Sequence, residues 1–223
     1  MTGKTNERVK AVAAMAMLTA LAIAADIFLR IPNIGGILTY EPKEVILTIG
    51  AFIFGTIPGL IMSLVVCFVE MITISTTGPI GLLMNFLASA TFIGVASVIY
   101  HRKKTMGRAI IGLVSGSLAM IGIMLLWNYI MTPIYMGVPR EAVLDLFLPL
   151  LIPFNAIKAA LNSAVVLLLY KGVVTALRKS KLIPQRESND GENKKVNTII
   201  LIIVSAVAVV TLLMVLLIFA KII

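Results

Sequence analysis

The sequence predicts an all-α integral membrane protein, a six-helix bundle followed by a seventh, C-terminal transmembrane helix. Hydrophobic residues make up 60% of the 223 positions and charged residues only 13%, whereas a soluble domain is roughly half apolar and a quarter charged. Mean hydropathy is +1.06. Apolar runs recur along the whole chain, and the short segments between them carry most of the basic residues. This pattern is typical of a multi-pass membrane protein.

The predicted helices follow from apolar runs that are separated by turn signals. Gly55 and Pro58 separate the second run from the third, Gly78 precedes the fourth, and Pro149 and Pro153 bend the sixth. The second run is short for a bilayer span. The runs cover residues 9–29, 44–57, 58–77, 82–100, 109–131, 146–177 and 196–220.

Three regions follow from this division. Residues 1–177 form the six-helix membrane domain, and the charged segment 178–195 is a flexible cytoplasmic linker. Residues 196–223 add a further transmembrane helix. That helix has neither glycine nor a polar stripe, which suggests a peripheral position or an anchor.

Loop charge predicts the orientation in the cell membrane. Fourteen of the 19 lysines and arginines lie in residues 1–10, in the loop 101–108, or in residues 171–195, at or beyond the ends of apolar runs on one side. Because cytoplasmic segments are enriched in basic residues, the N-terminus is expected in the cytoplasm and the C-terminus outside. The loops 30–43 and 132–145 then share the outer face.

Several function classes lack support in the sequence. The net charge of +9 is explained by membrane topology rather than by nucleic-acid binding. Cys67 and His101 are the only residues of their types, so no metal-site spacing is present, and no catalytic residue is assigned. An intramembrane enzyme would need a convergent constellation, which Glu70 and His101 do not suggest. No phosphate-binding P-loop motif occurs, so any ATPase must be another polypeptide.

A polar stripe in the sixth run is the strongest functional signal. Asn155, Lys158 and Asn162 fall on one helical face. A lysine in the middle of a spanning helix costs roughly 2.5–3.5 kcal/mol, which favours a ligand-facing stripe. The alternative is a snorkelling lysine with two asparagines that hold helices together. Asn162, one turn deeper, is better suited to packing or to supporting the other two.

Two further segments suggest a capped site and an interface. The loop 30–43 is apolar but contains two prolines and a Gly-Gly pair, so it cannot be helical and is expected to pack on protein as a lid. The alternative is a plain connector. Asn128 and Asn155 would lie at similar depth in the membrane, beneath the loop 30–43.

Ala16 and Ala20 form a small-residue stripe on the first helix that allows another helix to approach closely, although alanine is common in membrane helices.

Three segments resemble one transporter family. Residues 78–92 (GPIGLLMNFLASATF), 127–141 (WNYIMTPIYMGVPRE) and 152–158 (IPFNAIK) resemble the riboflavin-specific substrate-binding subunit of energy-coupling factor (ECF) vitamin transporters. The resemblance covers roughly residues 9–178. It implies a six-helix vitamin-binding bundle that takes its ligand from outside and docks on a transmembrane coupling subunit with two ATP-binding subunits.

The resemblance also implies roles for particular residues. Ala16 and Ala20 match the docking motif for the coupling subunit, and flavin is the transported ligand rather than a cofactor. In the first loop, the segment 37–44 (ILTYEPKE) carries Thr39 where the family has lysine and Lys43 where it has serine. Other functions left open are binding of a different small vitamin, or a membrane scaffold or anchor. The implied flavin-binding residues are Leu38, Thr39, Tyr40, Glu41, Asn85, Asn128, Asn155 and Lys158.

Overall fold

The structure, a computed structural model, describes residues 2–34 and 38–182. It confirms the predicted all-α membrane architecture, with one small sheet added. The predicted seventh helix, 196–220, and all but the first few residues of the predicted linker lie outside the described residues. The elements are α1 (Thr2–Leu29), β1 (Ile31–Ile34), β2 (Leu38–Tyr40), α2 (Lys43–Phe54), α3 (Thr56–Thr73), α4 (Gly78–His101), α5 (Met106–Met136), α6 (Arg140–Asp145), a π-helical turn (Phe147–Leu151) and α7 (Ile152–Lys179).

Several of these helices are long and apolar enough to cross a bilayer, which makes the chain a multi-pass membrane protein. α2 is not one of them, because its 12 residues extend only about 18 Å at 1.5 Å per residue. The second predicted run is therefore a half-length helix. Within the described residues, the candidate spans are Asn6–Leu29, Thr56–Thr73, Gly78–His101, Met106–Met136 and Arg140–Lys179.

α2 occupies the centre of the bundle. It packs against α1, α3, α4 and α7, and nearly every residue from Lys43 to Phe52 is buried. A helix that is apolar on all sides is stable only when other helices cover it completely, which explains why a helix too short to span persists here. Lys43 and Glu44, at its first turn, are buried with it.

Glycines allow the closest helix–helix approaches. A Cβ atom at Gly112 of α5 would lie 2.5 Å from the carbonyl oxygen of Ala96 on α4. One turn on, a Cβ at Gly116 would lie 2.7 Å from the carbonyl oxygen of Phe92. Small residues permit this backbone-to-backbone contact in membrane helices. The α4–α5 seam therefore depends on the absence of side chains at these positions.

The first loop contains a pair of antiparallel strands, a β-hairpin that was not predicted from the sequence. β1 and β2 are antiparallel, with Ile31 opposite Tyr40 and Ile34 opposite Leu38. The predicted interruption of helix is confirmed. Strands of four and three residues are too short for hydrophobic alternation to be recognised, so the pairing left no clear signal in the sequence.

The outer segment between α5 and α7 is more helical than predicted. α5 continues through Pro133 to Met136 and ends at Gly137, whose φ of 66° favours glycine. The predicted loop 132–145 thus contains the end of α5 and all of α6. Pro149 lies within the π-helical turn, where its missing N–H is compatible with the wider hydrogen-bonding pattern.

α1 presents two different faces. Ala14, Leu18, Ala22 and Asp26 are spaced four residues apart and are buried against the bundle. Ala16 and Ala20 lie on the exposed side of the same helix. The small-residue stripe predicted as an interface is therefore not consumed by packing within the described part of the chain.

Candidate functional site

A cavity of about 300 Å³ lies between the first loop and the helices α4, α5 and α7. This volume is at the lower end of the range typical of small-molecule sites. Much of its wall is apolar and aromatic: Met84, Met120, Met124, Trp127 and Phe154 all line it. Such walls suit a flat, largely apolar ligand, and methionine side chains adapt to its shape.

Most of the predicted binding residues meet at this cavity. They come from the first loop, α4, α5 and α7, which are distant in sequence. Two of them, Asn155 and Lys158, are three residues apart on α7 and share one face. The predicted site residues that line the cavity are Leu38, Thr39, Glu41, Asn85, Asn128, Asn155 and Lys158.

Tyr40 is placed differently. All eight predicted flavin-binding residues are within the described part of the chain, and Tyr40 is the one among them that does not line the cavity. Its hydroxyl donates to Oδ1 of Asn162 at 3.0 Å. Burial raises the pKa of Tyr40 to about 12, so the hydroxyl keeps its proton. Tyr40 and Asn162 thus join the first loop to α7 behind the cavity wall.

The amides of α5 and α7 are anchored to their own helices. Asn128 Nδ2 donates to the carbonyl of Met124, and Asn155 Nδ2 donates to the carbonyl of Leu151, both at 2.8 Å. Asn128 Oδ1 accepts from Thr132 at 3.0 Å. Asn155 Oδ1 accepts from no donor within the described residues, so this amide carbonyl at the cavity wall is available to a ligand donor.

Glu41 is the centre of the polar side of the cavity. Its Oε1 accepts from Asn85 Nδ2 at 3.0 Å, and its Oε2 accepts from Lys158 Nζ at 3.3 Å. Lys43 Nζ lies 3.3 Å from the same Oε2. Burial alone would raise the pKa of Glu41, but the ammonium groups of Lys43 and Lys158 hold it well below its usual range. Glu41 is therefore an ionised acceptor that orients two predicted ligand-binding side chains.

Lys43 lies behind Glu41 and connects three elements. Its side chain is fully buried, and its ammonium group contacts Glu41, Asp26 of α1 at 3.5 Å and Glu70 of α3. Glu70 also accepts from Asn85 at 2.7 Å. Asp26 and Glu70, each the lone acidic residue of its apolar run, are therefore buried carboxylates that share the Lys43 ammonium group.

A second carboxylate, that of Glu44, also contacts Lys158. Glu44 Oε1 lies 3.1 Å from Lys158 Nζ, and Glu44 Oε2 accepts from Asn162 Nδ2 at 2.5 Å. Ser89 of α4 donates to Glu44 at 3.4 Å. Lys158 is thus held between two carboxylates, which offsets the cost of its burial. Asn162 supports this pair, in agreement with the supporting role expected from its depth.

Five charged residues of this cluster were not predicted from the sequence as site residues. Arg30 lines the cavity beside Glu41 and Glu70, at 3.9 and 3.5 Å. The available signal was charge within or beside an apolar run, which is costly without partners. The five residues are Asp26, Arg30, Lys43, Glu44 and Glu70.

His101 does not contact this cluster. Its Nε2 lies 2.8 Å from the carbonyl oxygen of Ala51, at the opposite end of α2 from Lys43. Within residues 2–34 and 38–182, no group of three or more His, Cys, Asp or Glu side chains is placed to hold a metal ion.

Comparison with known proteins assigns the family. Residues 10–170 match the family described as ECF transporter, substrate-specific component. The chain belongs to this family. Membership confirms the predicted resemblance and makes the protein a transporter component that associates with an ECF module.

Individual relatives agree with the family assignment. The chain is 30% identical over 172 residues to the riboflavin transporter RibU of Staphylococcus aureus (strain TCH60), across 74% of this chain and 90% of that protein. A solved structure described as the S component of a bacterial ECF transporter aligns with a TM-score of 0.65 at 29% identity. That alignment covers 77% of this chain and 99% of the solved one.

Proposed function

We propose that this substrate-specific component binds riboflavin or a closely related flavin from the outer face of the membrane. The observation that carries the proposal is the cavity itself, where adaptable apolar walls meet one polar side built from Glu41, Asn85, Asn155 and Lys158. A flavin has the same division, with an apolar ring system and a polar edge and side chain. The name of the Staphylococcus aureus relative supports the same ligand.

The polar groups suit a flavin in specific ways. The available carbonyl of Asn155 can accept from the imide N–H of the ring or from a ribityl hydroxyl. Lys158, whose ammonium is oriented by Glu41 and Glu44, can donate to a ring carbonyl. The indole of Trp127 and the methionines can cover the ring faces. The protein would bind its ligand and hand it over unchanged, without catalysis.

The proposed transport partners are a transmembrane coupling subunit and two ATP-binding subunits. The exposed Ala16 and Ala20 of α1 are the proposed docking surface, because small residues allow a partner helix to approach closely. The proposed orientation places the N-terminus in the cytoplasm and the first loop outside, as the basic residues of the loops favour.

Riboflavin titration tests the proposal. Purified protein freed of ligand should quench the fluorescence of added riboflavin with saturable, submicromolar affinity. Asn155→Leu, which removes the available carbonyl, should weaken binding by at least about tenfold, because a ligand donor would lose its acceptor. Asn6→Leu, at an exposed position of α1, is the matched control and should bind like wild type. Saturable binding of a different vitamin with no effect of riboflavin would refute the riboflavin assignment, and binding of no vitamin would favour a scaffold.

A further inference from the structure

We propose that Lys43 is a positioning residue for ligand binding, which acts by holding the Glu41 carboxylate against Asn85 and Lys158. This inference rests on the proposed flavin-binding function and extends it to a residue outside the cavity lining. Lys43 is fully buried and cannot touch a ligand in the cavity, so its effect must pass through a neighbour.

Glu41 is the neighbour through which Lys43 reaches the site most directly, because Glu41 itself lines the cavity, whereas Glu70 does not. Its ammonium lies 3.3 Å from Glu41 Oε2, the same oxygen that accepts from Lys158. Glu41 Oε1 in turn accepts from Asn85. One carboxylate therefore orients a donor on α4 and a donor on α7, and Lys43 is the fully buried cation that contacts this carboxylate without lining the cavity.

Lys43 also fixes where Glu41 can lie. The same ammonium contacts Asp26 on α1 and Glu70 on α3, so it is anchored to two helices of the bundle. Glu41 belongs to the segment that follows the hairpin and has no helix of its own. A carboxylate on such a segment gains a defined position from a cation that is itself immobilised.

Charge balance makes replacement of Lys43 alone by a neutral residue unfavourable. In the described part of the chain, this cluster contains three cations and four carboxylates: Arg30, Lys43 and Lys158 with Asp26, Glu41, Glu44 and Glu70. Loss of Lys43 would leave one cation fewer among the same buried carboxylates, and removing one partner of a buried pair is strongly unfavourable. A fair test must therefore restore the charge balance.

The test compares Lys43→Met/Asp26→Asn with wild type. The double variant removes one positive and one negative charge and leaves the cavity lining intact. Its unfolding midpoint should be closer to wild type than that of Lys43→Met, yet its dissociation constant for riboflavin should rise by at least about tenfold. Lys103→Met, in the exposed loop after α4, is the matched control and should bind like wild type.

A pH profile separates positioning from a merely structural role. Glu41 faces Arg30, Lys43, Lys158 and Glu70, and the cations among them keep its pKa low. Without Lys43, burial raises that pKa toward or above its ordinary value. Riboflavin affinity should then fall as pH drops from about 7 to about 4 in the double variant, while that of wild type changes much less.

Two results would overturn the inference. One is a double variant whose riboflavin affinity stays within about twofold of wild type at every pH, because Lys43 would then only balance charge. The other comes from Glu41→Gln, which can still contradict the proposed route if the double variant does not fold. Because Lys43 acts through Glu41, this variant should also lose at least about tenfold in affinity, and wild-type affinity would contradict the mechanism. A wild-type protein that binds no flavin would instead refute the proposed function on which the inference rests.

Discussion

The packing of α4 on α5 yields a prediction with a matched control on the same helix. Gly112→Ala places a methyl group 2.5 Å from the carbonyl oxygen of Ala96 and 3.3 Å from that residue's Cα. Both neighbours are helix backbone, so neither can rotate away. Gly122 lies on α5 as well, but a Cβ there meets nothing within 4 Å.

The magnitude follows from comparing the two substitutions. Either alanine removes backbone freedom that glycine has in the unfolded chain, which stabilises a helix by roughly 0.5–1 kcal/mol. Gly112→Ala also forces α4 and α5 apart, because ordinary van der Waals contact of a Cβ atom begins near 3.4 Å. Overpacking of this kind costs about 1–3 kcal/mol. The difference in unfolding free energy between the variants should therefore be about 1–3 kcal/mol, with Gly122→Ala the more stable.

The assay is detergent-induced unfolding in mixed micelles, followed by circular dichroism, on both variants and wild type. Riboflavin affinity should fall only for Gly112→Ala, since α4 carries Asn85 and α5 carries Asn128, and both line the cavity. A Gly112→Ala protein as stable as Gly122→Ala would refute the close approach of α4 and α5 on which this reasoning depends.

Two further predictions concern the docking surface and acid stability. Ala16→Trp and Ala20→Trp should leave riboflavin binding intact but abolish uptake in cells that carry the coupling and ATP-binding subunits, since the bulky ring blocks close helix approach; normal uptake would place docking elsewhere. Glu41 has a folded-state pKa below its ordinary 4.5. It therefore contributes stability that is fully present above about pH 5 and is lost as pH falls below that value. Glu41→Gln should show a shallower loss of unfolding free energy on acidification than wild type, and an equal slope would contradict the role assigned to this carboxylate.

Much of the site could be predicted because intramembrane polar groups are costly. Asn155 and Lys158 stood out because they are polar residues on one face of an otherwise apolar run. The structure places both at the cavity. Asn85, Asn128 and the first loop came from the resemblance to a family rather than from spacing. The helix boundaries followed from proline, glycine and charge, and the largest errors are at the start of α1, which begins at Thr2 rather than at residue 9, and at the end of α5, which continues through Pro133.

The ion-pair cluster could not be predicted, because its members belong to separate elements. Asp26, Lys43 and Glu70 are far apart in the chain, and each by itself is compatible with a position at the membrane edge. Their mutual contacts depend on α2 lying at the centre of the bundle with its first turn buried. The hairpin was missed for a different reason, since strands of three and four residues carry too little periodicity.

The cavity between the first loop, α4, α5 and α7 is expected to hold a flavin. The most direct measurement is mass spectrometry and visible absorbance of the ligand that copurifies with the full-length protein, with the Asn155→Leu variant processed in parallel. We expect a yellow wild-type protein that releases riboflavin or a close relative in near-stoichiometric amount, and a variant with much less. A colourless wild-type protein that also fails to bind added flavin, or one that releases a chemically different vitamin, would contradict the account.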